Sequence, residues 1–569
     1  MSKELAVAIA AFAGLLLVTL GVPRAIAEKD ETILVSRQSD GEGGAGADGE
    51  EGSFTDSVSA DGRFVAFESD ADNLSGVDVG GFDVFVRDVV TGSTTLVSRQ
   101  SDGDGGAGGD GESFGGSISA DGRFVAFSSR ATNLSADTET GLNVYVRDLQ
   151  ANTTTLVSRQ SAGDGGAGGD DASFIARISA DGRRVAFASR ADNLSGADDN
   201  DLENIFVRDL QANTTTLVSR AAGAGGAGAD DSSFRPAISP DGRFVAFDSD
   251  ADNLSSADDN AFLNVFLRDI ETNTMTLVSR QSAGDGGSGG DESSFGASIS
   301  RGGDRVEFAS RANNLSDADD NEFESVFVRD LEANRTTLVS RPSGGDSGAA
   351  DDTSNRGEIS ADGRFVGFDS PADNLSDADD NAVSNVFVRN LDMETTTLVS
   401  RRSAAEGGAG GDGDSFDAFP SADGRFVAFD SEANNLSDLD ADPTSDVFVR
   451  DVLGEGGGGD GPLGFTLKAK KRQRIGKPVK VKATCDEVCA VEAKGRAKRA
   501  GRKKLKLKPA SAELAAGETE KLRLRPSRKA ARKLRRAGRA KARVTATATD
   551  AAGNEATDSV KVKLRSGRS

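Results

Sequence analysis

The chain has 569 residues, with 92 Asp and Glu against 67 Lys and Arg, and a formal net charge of −25 at neutral pH. It contains no His, no Trp and two Cys. The lack of His excludes Ser-His-Asp and Cys-His nucleophiles and His-ligated zinc or iron, and the lack of Trp removes the usual stacking platform of sugar-binding sites.

The N-terminal residues predict export. A short Lys-containing head precedes the apolar run Leu5–Val22, and Ala25-Ile26-Ala27 supplies the small-x-small pattern of a cleavage site. This predicts a signal peptide over residues 1–27 and a protein that is secreted or held at the exterior of the cell envelope. The alternative is a retained membrane anchor, because a run of 18 apolar residues nearly spans a bilayer.

The following part of the chain is repetitive. The turn string S-A-D-G-R, or a variant of it, recurs at intervals of 60 or 61 residues. Its copies lie at Asp61, Asp121, Asp181, Asp241, Gly302, Asp362 and Asp423. A fixed period of this kind is typical of architectures in which each repeat is one supersecondary unit.

Each repeat carries four strand-like segments, which in the first repeat are Ser53–Ser59, Phe64–Glu68, Asp83–Arg87 and Thr94–Arg99. Val, Phe and Thr dominate these segments, and the Asp-Gly pair between the first two is a strong hairpin signal.

The fourth strand-like segment of each repeat predicts how the first and last repeats join. The string L-V-S-R occurs seven times, first at Leu34, ahead of the first D-G-R, and no copy follows Asp446–Arg450. We therefore expect an all-β fold, a seven-bladed β-propeller over residues 32–452, whose N-terminal strand completes the last blade. The alternative is a linear solenoid, which would need capping repeats that the sequence lacks.

These repeats resemble the TolB-like, WD-like propeller repeat family of bacteria, whose signature is S-x-D-G-(K/R)-x-(I/V)-A-F followed by a (D/N)-(V/I)-(F/Y)-V-x-D strand. Residues 32–452 match this signature throughout. The resemblance implies the propeller fold. It does not imply a role in outer-membrane maintenance, because the α/β domain of TolB has no counterpart in this sequence.

The long connections are expected to lie on one face of the propeller, because tight D-G and T-G turns occupy the other face. In the last three repeats, the connection between the second and third strands places oxygen-bearing residues at relative positions 1, 3, 5 and 9. These residues are Asp438, Asp440, Asp442 and Asp446, then Asp377, Asp379, Asn381 and Asn385, and then Asp317, Asp319, Asn321 and Ser325.

Alternate carboxylates in a curled loop can converge on Ca²⁺, which prefers six to eight hard oxygen ligands. The spacing resembles the calcium loops of integrin-type propeller blades, although Gly at position 6 is missing. We therefore expect Ca²⁺ as the cofactor of these loops. The alternative is a set of solvated loops in which Asp and Asn form local turns.

A charge boundary separates a second domain. Residues 463–569 have a balance of +24, whereas residues 1–462 have a balance of −49, and this contrast predicts a domain boundary. The Gly-rich residues 453–462 are the expected linker.

The basic part is predicted to be a small immunoglobulin-like β-sandwich. Its strand-like segments are Phe465–Lys470, Val479–Thr484, Lys503–Lys508, Lys521–Arg525, Ala542–Thr549 and Ser559–Leu564, and a helix is expected within Ser527–Lys541. The closing V-T-A-T-A-T-D-A-A-G-N segment resembles bacterial surface Ig-like modules.

Cys485 and Cys489 flank three residues, and in an exported chain they are expected to form a disulfide across a short hairpin. A redox-active pair is the alternative. The excess of cations predicts attraction to an anionic cell-wall polymer, or else to the chain's own acidic propeller. The scarcity of aromatic residues here argues against specific nucleic-acid binding.

For function, the sequence favours a monomeric, non-catalytic binding or scaffold protein that is not an enzyme and that binds an extracellular protein or glycan through a propeller face. The alternative is an extracellular carbohydrate-active hydrolase or lyase that uses propeller carboxylates. Departures from the repeat, at Arg235-Pro236, Arg301–Arg305 and Phe419-Pro420, are few, which weighs against the enzyme.

Overall fold

The computed structural model describes residues 30–42, 44–77, 80–136, 141–197, 201–223, 225–258, 260–319, 321–344, 348–379, 381–440, 443–453, 465–485, 489–498, 505–514, 519–550 and 555–566. The predicted signal peptide and all but the first residue of the predicted linker lie outside these ranges. Within them, no helix is both long enough and apolar enough to cross a membrane.

Between Thr32 and Asp451 the chain forms four-stranded antiparallel sheets that repeat along the sequence. We call their strands inner, second, third and outer, in the order of pairing. The inner strands are Ser53–Val58, Ser113–Ile118, Ser173–Ile178, Ser233–Ile238, Ser294–Ile299, Asn355–Ile359 and Ser415–Pro420. The second strands are Phe64–Ser69, Phe124–Ser129, Arg184–Ser189, Phe244–Ser249, Arg305–Ser310, Phe365–Ser370 and Phe426–Ser431.

The third strands are Asp83–Asp88, Asn143–Asp148, Asn204–Asp209, Asn264–Asp269, Ser325–Asp330, Asn385–Asn390 and Asp446–Asp451. The outer strands are Ser93–Leu96, Thr153–Leu156, Thr214–Leu217, Thr274–Leu277, Arg335–Leu338, Thr395–Leu398 and, in the last sheet, Thr32–Leu34. Short 3₁₀ turns occupy the connections at Asp40–Glu42, Asp102–Asp104, Ala162–Asp164, Ala283–Asp285 and Ala404–Glu406. The strand predictions for the repeats are confirmed to within a few residues.

The repeated residues account for the repeated geometry. In the first D-G turn, Ser59 Oγ donates to Asp61 Oδ1 at 2.7 Å and accepts from Phe64 N at 2.9 Å. Between the sheets, the second and third strands contribute a buried pair of stacked rings, such as Phe67 and Phe85 with centroids 5.6 Å apart. Burial of these apolar faces is the main force that holds the sheets together.

The N-terminal strand pairs with the last third strand, with Thr32 opposite Arg450 and Leu34 opposite Phe448. The first and last inner strands also meet, because Ala422 N donates to Ala60 O at 3.1 Å. Ala60 N donates in turn to Ala120 O at 3.1 Å. The two ends of the repeat array are therefore joined by main-chain hydrogen bonds.

Gly62 gives a direct test of this junction between first and last repeats. Its φ is +77°, and a Cβ atom there would lie 2.2 Å from Cδ2 of Phe426. We expect Gly62→Ala to lower the free energy of unfolding by at least about 2 kcal/mol, since the left-handed conformation alone costs about 1–2 kcal/mol for a residue with a Cβ atom. Urea unfolding measures this, with Gly223→Ala as the matched control, because Gly223 also has a positive φ (+92°) but a Cβ there meets nothing within 4 Å. Equal effects of both substitutions would contradict the contact.

The basic C-terminal part forms two sheets around its own apolar core. The smaller sheet contains Phe465–Lys468, Val479–Cys485 and Thr519–Leu524. The larger sheet contains Arg472–Arg474, Glu555–Arg565, Arg539–Asp550, Cys489–Lys498, Leu505–Lys506 and Ala510–Leu514. The helix runs over Arg528–Ala537, shorter than predicted, because Gly538 ends it with φ 63°.

The connection between the two cysteines differs from the prediction. Cys485 ends a strand of the smaller sheet and Cys489 begins a strand of the larger one. The strands that end at Cys485 and begin at Cys489 therefore belong to different sheets and are not paired with each other in a hairpin. Residues 486–488 and both cysteine side chains lie outside what is described, so the disulfide stays a prediction.

Candidate functional site in the central pocket

The inner strands are where the repeats differ most. Nearly every inner strand begins with Ser-Phe and ends with an apolar residue, while the three residues between these positions change from repeat to repeat. The variable triplets are Thr55-Asp56-Ser57, Gly115-Gly116-Ser117, Ile175-Ala176-Arg177, Arg235-Pro236-Ala237, Gly296-Ala297-Ser298, Arg356-Gly357-Glu358 and Asp417-Ala418-Phe419. The inner strands are thus similar to one another except at these three positions, where the side chains differ.

Each variable triplet coincides with a shift of pairing register between the inner and second strands. Three residues that are not glycine have positive φ there, namely Ile175 (52°), Arg235 (45°) and Asp417 (53°). A β-bulge re-aims a side chain, and strained backbone of this kind clusters at functional sites. The bulges therefore turn the variable side chains away from ordinary ladder positions.

These side chains meet in one pocket of about 590 Å³. Its charged lining residues are Asp56, Glu68, Arg177, Arg235, Arg356, Glu358 and Asp417. Asp56, Arg177 and Glu358 also line a smaller cavity of about 180 Å³ on the side of the D-G turns. They therefore lie at the boundary between the two cavities, with the larger pocket on the side of the long connections.

Burial dominates the electrostatics of the pocket. It raises the pKa of Asp56 well above its ordinary value, with a further contribution from the nearby charge of Glu68 and an opposing one from Arg177. Oδ2 of Asp56 is buried and has no hydrogen-bond partner among the described residues. Burial also raises the pKa of Asp417, where Arg356 and Arg177 oppose the shift.

Further carboxyl groups hold the bulges in place. Glu68 Oε2 accepts from Gly115 N at 2.8 Å, and both carboxyl oxygens of Asp248 accept from Gly296 N at 3.0 Å. In each case the carboxyl belongs to the second strand of one sheet and the amide to the bulge of the next. Burial raises the pKa of Asp248 to about 7, although Arg235 Nη1 lies 3.2 Å from its Oδ2. These carboxyl groups couple the pocket shape to the packing between sheets.

Aromatic rings complete the lining. Phe54, Phe82 and Phe114 form a chain of rings with centroids 6.0 and 6.2 Å apart, and Phe54 and Phe114 line the pocket. The guanidinium of Arg130 lies 5.8 Å from the centroid of the Phe114 ring. Such rings offer apolar faces beside charged groups, which is the combination that binds polar ring compounds.

The predicted calcium ligands lie elsewhere, in the connections between second and third strands. The residues at position 1 of those loops (Asp317, Asp377 and Asp438) are exposed, and Asp438 pairs with Arg402 at 2.5 Å. In the sixth repeat, Asn385 Nδ2 donates to Asp379 Oδ1 at 3.1 Å and to Asn381 Oδ1 at 2.9 Å. The amide at position 9 thus bonds to the oxygens that were expected to face an ion.

The other two loops differ at position 9. Ser325 Oγ lies 3.5 Å from Asp319 Oδ1, and Asp446 accepts a hydrogen bond from Ser36 Oγ. Asp319 and Asp446 are buried, Asp440 and Asn321 are half-buried, and Asp442 lies outside the described residues. No group of three or more acidic side chains that could hold a metal ion occurs within the described ranges.

Calcium binding stays a prediction with a simple test. If the loops bind Ca²⁺, EDTA is expected to lower the melting temperature, because the ion binds the folded state and not the unfolded one. Differential scanning calorimetry in EDTA and in excess calcium measures the effect. Asp446→Asn would remove a carboxylate from the last loop and is expected to reduce the calcium response. An identical melt in both buffers would contradict the prediction.

Several solved structures are weakly similar to this chain. A TolB protein of Agrobacterium tumefaciens is similar over 50% of this chain and 79% of its own, with 14% identity and a TM-score of 0.32. Trypanosoma rangeli sialidase is similar over 94% and 88%, with 9% identity and a TM-score of 0.28. The GH74 xyloglucanase of Xanthomonas campestris is similar over 88% and 80%, with 10% identity and a TM-score of 0.24.

No family profile matches the chain, and no curated protein does. The repeated four-stranded sheets, with the first strand paired into the last sheet, fit the propeller that the sequence repeats predicted. At these identities and TM-scores the likeness concerns the fold and carries no argument about a reaction.

One prediction needs correction. The sequence favoured a protein that is not an enzyme, and this prediction is contradicted: the similar structures include sialidases and a xyloglucanase, although the likeness assigns no reaction to this chain. The physical reason for the error lies in the inner strands. Two departures that were judged minor, Arg235-Pro236 and Phe419-Pro420, contribute Arg235, Pro236 and Phe419 to the pocket, next to carboxyl groups that were overlooked.

Taken together, the chain has an all-β fold of repeated four-stranded sheets that fits a propeller, and it carries an uneven set of carboxyl and guanidinium groups in one pocket between the inner strands.

Proposed function

We propose that the protein is an extracellular carbohydrate-active hydrolase or lyase whose active site is the central pocket. The observation that carries this proposal is the convergence of the non-repeating side chains of the inner strands on a single cavity. A repeat protein that needed these positions only for packing would be expected to fill them alike. Instead, the residues at the bulges differ from repeat to repeat and build a site that contains both carboxyl and guanidinium groups.

Cleavage of a glycosidic bond needs one carboxyl group that gives a proton and one that acts as base or nucleophile. Asp56 suits the proton donor, because burial and the nearby charge of Glu68 raise its pKa well above the ordinary value and so favour the protonated form. We assign the second role to Asp417, because the guanidinium groups of Arg356 and Arg177 oppose the rise in its pKa that burial causes. The two groups differ in their neighbours, because Glu68 adds to the rise in the pKa of Asp56, whereas Arg356 opposes the rise at Asp417.

The remaining lining residues would bind the substrate. Arg177, Arg235 and Arg356 present guanidinium donors to hydroxyl or carboxylate oxygens of a sugar, and Phe54 and Phe114 offer ring faces for stacking. These contacts would orient a glycan so that its scissile bond faces Asp56.

The proposal also concerns the arrangement of the repeated sheets and the fold of the C-terminal part. We propose that the sheets are seven blades of a closed ring and that the C-terminal part is immunoglobulin-like. The contact between Ala422 and Ala60 and the pairing of Thr32 with Arg450 support the ring. We also propose that residues 1–27 direct the chain out of the cell as a monomer.

A panel of neutral and acidic polysaccharides tests the function. We expect at least one of them to be cleaved, with release of new reducing ends by a hydrolase or of an unsaturated sugar by a lyase. Asp417→Asn should abolish the release, while Asp392→Asn, which changes an exposed carboxyl on a turn between third and outer strands, should not. Equal turnover by both variants would exclude the pocket as the catalytic site.

A further inference from the structure

The larger C-terminal sheet carries cations in two rows across its strands. In the first row, Lys506, Arg496, Arg543 and Lys561 lie directly opposite one another on four neighbouring strands. In the second row, Lys498, Lys541, Lys563 and Arg472 do the same. All eight side chains are exposed.

Strand alternation places all these cations on one face. The residues between the rows, Ala497, Ala542 and Val562, are buried in the core of the domain. Because successive side chains point to opposite faces of a sheet, the two rows of cations lie together on the outer face. This pattern follows from a period-two alternation of Lys or Arg with small apolar residues.

The rows line a groove of about 990 Å³ together with Lys471 and Lys494. Ten basic residues contribute to it, and no Asp or Glu is among the described residues that line it. Arg543 Nη2 donates to Ser559 Oγ at 2.9 Å, so its nearest described partner is neutral. The described lining residues therefore bring ten basic side chains to one groove.

Such an arrangement is unfavourable in the free protein. Like charges directly opposite on neighbouring strands have Cβ atoms roughly 4.5–5.5 Å apart and destabilise the sheet. A row of four strands spans about 14 Å, and the two rows are about 7 Å apart along the strands. A ligand with several negative charges at comparable spacing would relieve this repulsion and release counterions.

We propose that this groove binds a linear polyphosphodiester that carries no bases, of the poly(glycerol phosphate) type. Lys outnumbers Arg seven to three in the lining, and the ammonium group of Lys binds phosphate as a point charge without demanding a fixed orientation. No aromatic side chain is among the described lining residues, so bases would find no stacking platform there. A flexible, base-free chain of phosphates matches both properties.

The test uses the full-length chain and fluorescent poly(glycerol phosphate), with binding followed by anisotropy at several salt concentrations. For the wild type, the logarithm of the association constant is expected to fall by roughly 0.7 for each neutralised phosphate per tenfold rise in salt. Arg496→Glu with Arg543→Glu should weaken binding by at least about tenfold and lower this slope. Arg496→Gln with Arg543→Gln should give a smaller loss in the same direction.

The matched control lies on the smaller sheet, where Lys482 and Lys521 are also exposed and directly opposite. Lys482→Glu with Lys521→Glu makes the same change in net charge and should reduce binding much less. Equal losses from both pairs would mean that net charge alone drives binding, which would overturn the groove as a site.

Tighter binding of a single-stranded DNA with the same number of phosphates would overturn the choice of ligand. Polysaccharide cleavage should be unaffected by the groove variants, so this proposal can fail independently of the proposed function.

Discussion

Replacing Asp56 with Asn is expected to lower kcat on a cleaved polysaccharide by a factor of about 10²–10⁴, which is the usual contribution of a positioned general acid. The side chain keeps its size and can still occupy the pocket beside Arg177. KM should change much less, because the arginines and phenylalanines that would contact the substrate are retained. Steady-state kinetics on the substrate found in the panel measures both constants.

Two comparisons sharpen this prediction. Asp392→Asn serves as the matched control, since it makes the same substitution at an exposed turn and should leave kcat unchanged. A substrate with an activated leaving group needs little protonation, so it should rescue much of the lost rate in Asp56→Asn. Rescue of this kind would not be expected from a merely structural defect. A variant with wild-type kcat on unactivated substrate would contradict the role of Asp56.

The second large expected effect is a change in the free energy of unfolding with pH. Burial raises the pKa of Asp248 and of Asp369 to about 7, whereas an unfolded Asp titrates near pH 4 (about 3.9). The folded state therefore binds more protons than the unfolded state between about pH 4 and pH 7, so the free energy of unfolding falls as pH rises through this window. Each group could contribute up to roughly 4 kcal/mol, at about 1.4 kcal/mol per pKa unit.

Other carboxyl groups have the opposite effect on the free energy of unfolding, and they act at lower pH. Hydrogen bonds from Arg123 and Arg243 lower the pKa of Asp148 and of Asp269, and this stabilisation is lost as pH falls below about 4. We therefore expect maximal stability near pH 4–5, with a higher urea midpoint at pH 5 than at pH 8. Proteins more commonly have their maximal stability between about pH 5 and pH 8.

Asp248→Asn isolates one contribution to this profile. The amide oxygen can still accept from Gly296 N, but it does not titrate. The difference in unfolding free energy between pH 5 and pH 8 should shrink by up to about 4 kcal/mol in this variant. Asp392→Asn should keep the wild-type slope. A wild-type slope in Asp248→Asn would show that Asp248 is ionised in the folded protein at pH 5.

Much of the fold could be predicted from the sequence, because the repeat makes each signal visible several times. The Asp-Gly turns, the apolar second and third strands and the N-terminal copy of L-V-S-R all have the predicted partners. The C-terminal part was harder. The strand Cys489–Lys498 was missed because it buries small side chains such as Ala493 and Ala497 between charged ones, which gives a weak hydrophobic pattern.

The candidate site could be predicted only in part. The face that bears the long connections was expected to carry function, and the larger pocket lies on that side of the inner strands. Its residues do not come mainly from those connections, however. The signal was present in the triplets between Ser-Phe and the closing apolar residue, where Asp56, Arg177 and Asp417 break the repeat. Their convergence depends on bulges and on ring closure, which sequence spacing alone does not reveal.

The most direct test of the central claim is a crystal structure of the Asp56→Asn protein soaked with an oligosaccharide of the cleaved substrate. We expect the sugar in the central pocket, with a glycosidic oxygen within hydrogen-bond distance of Asn at position 56 and a sugar oxygen bound by at least one of Arg177, Arg235 and Arg356. Sugar bound only on the outer connections, with the pocket filled by water, would contradict the account.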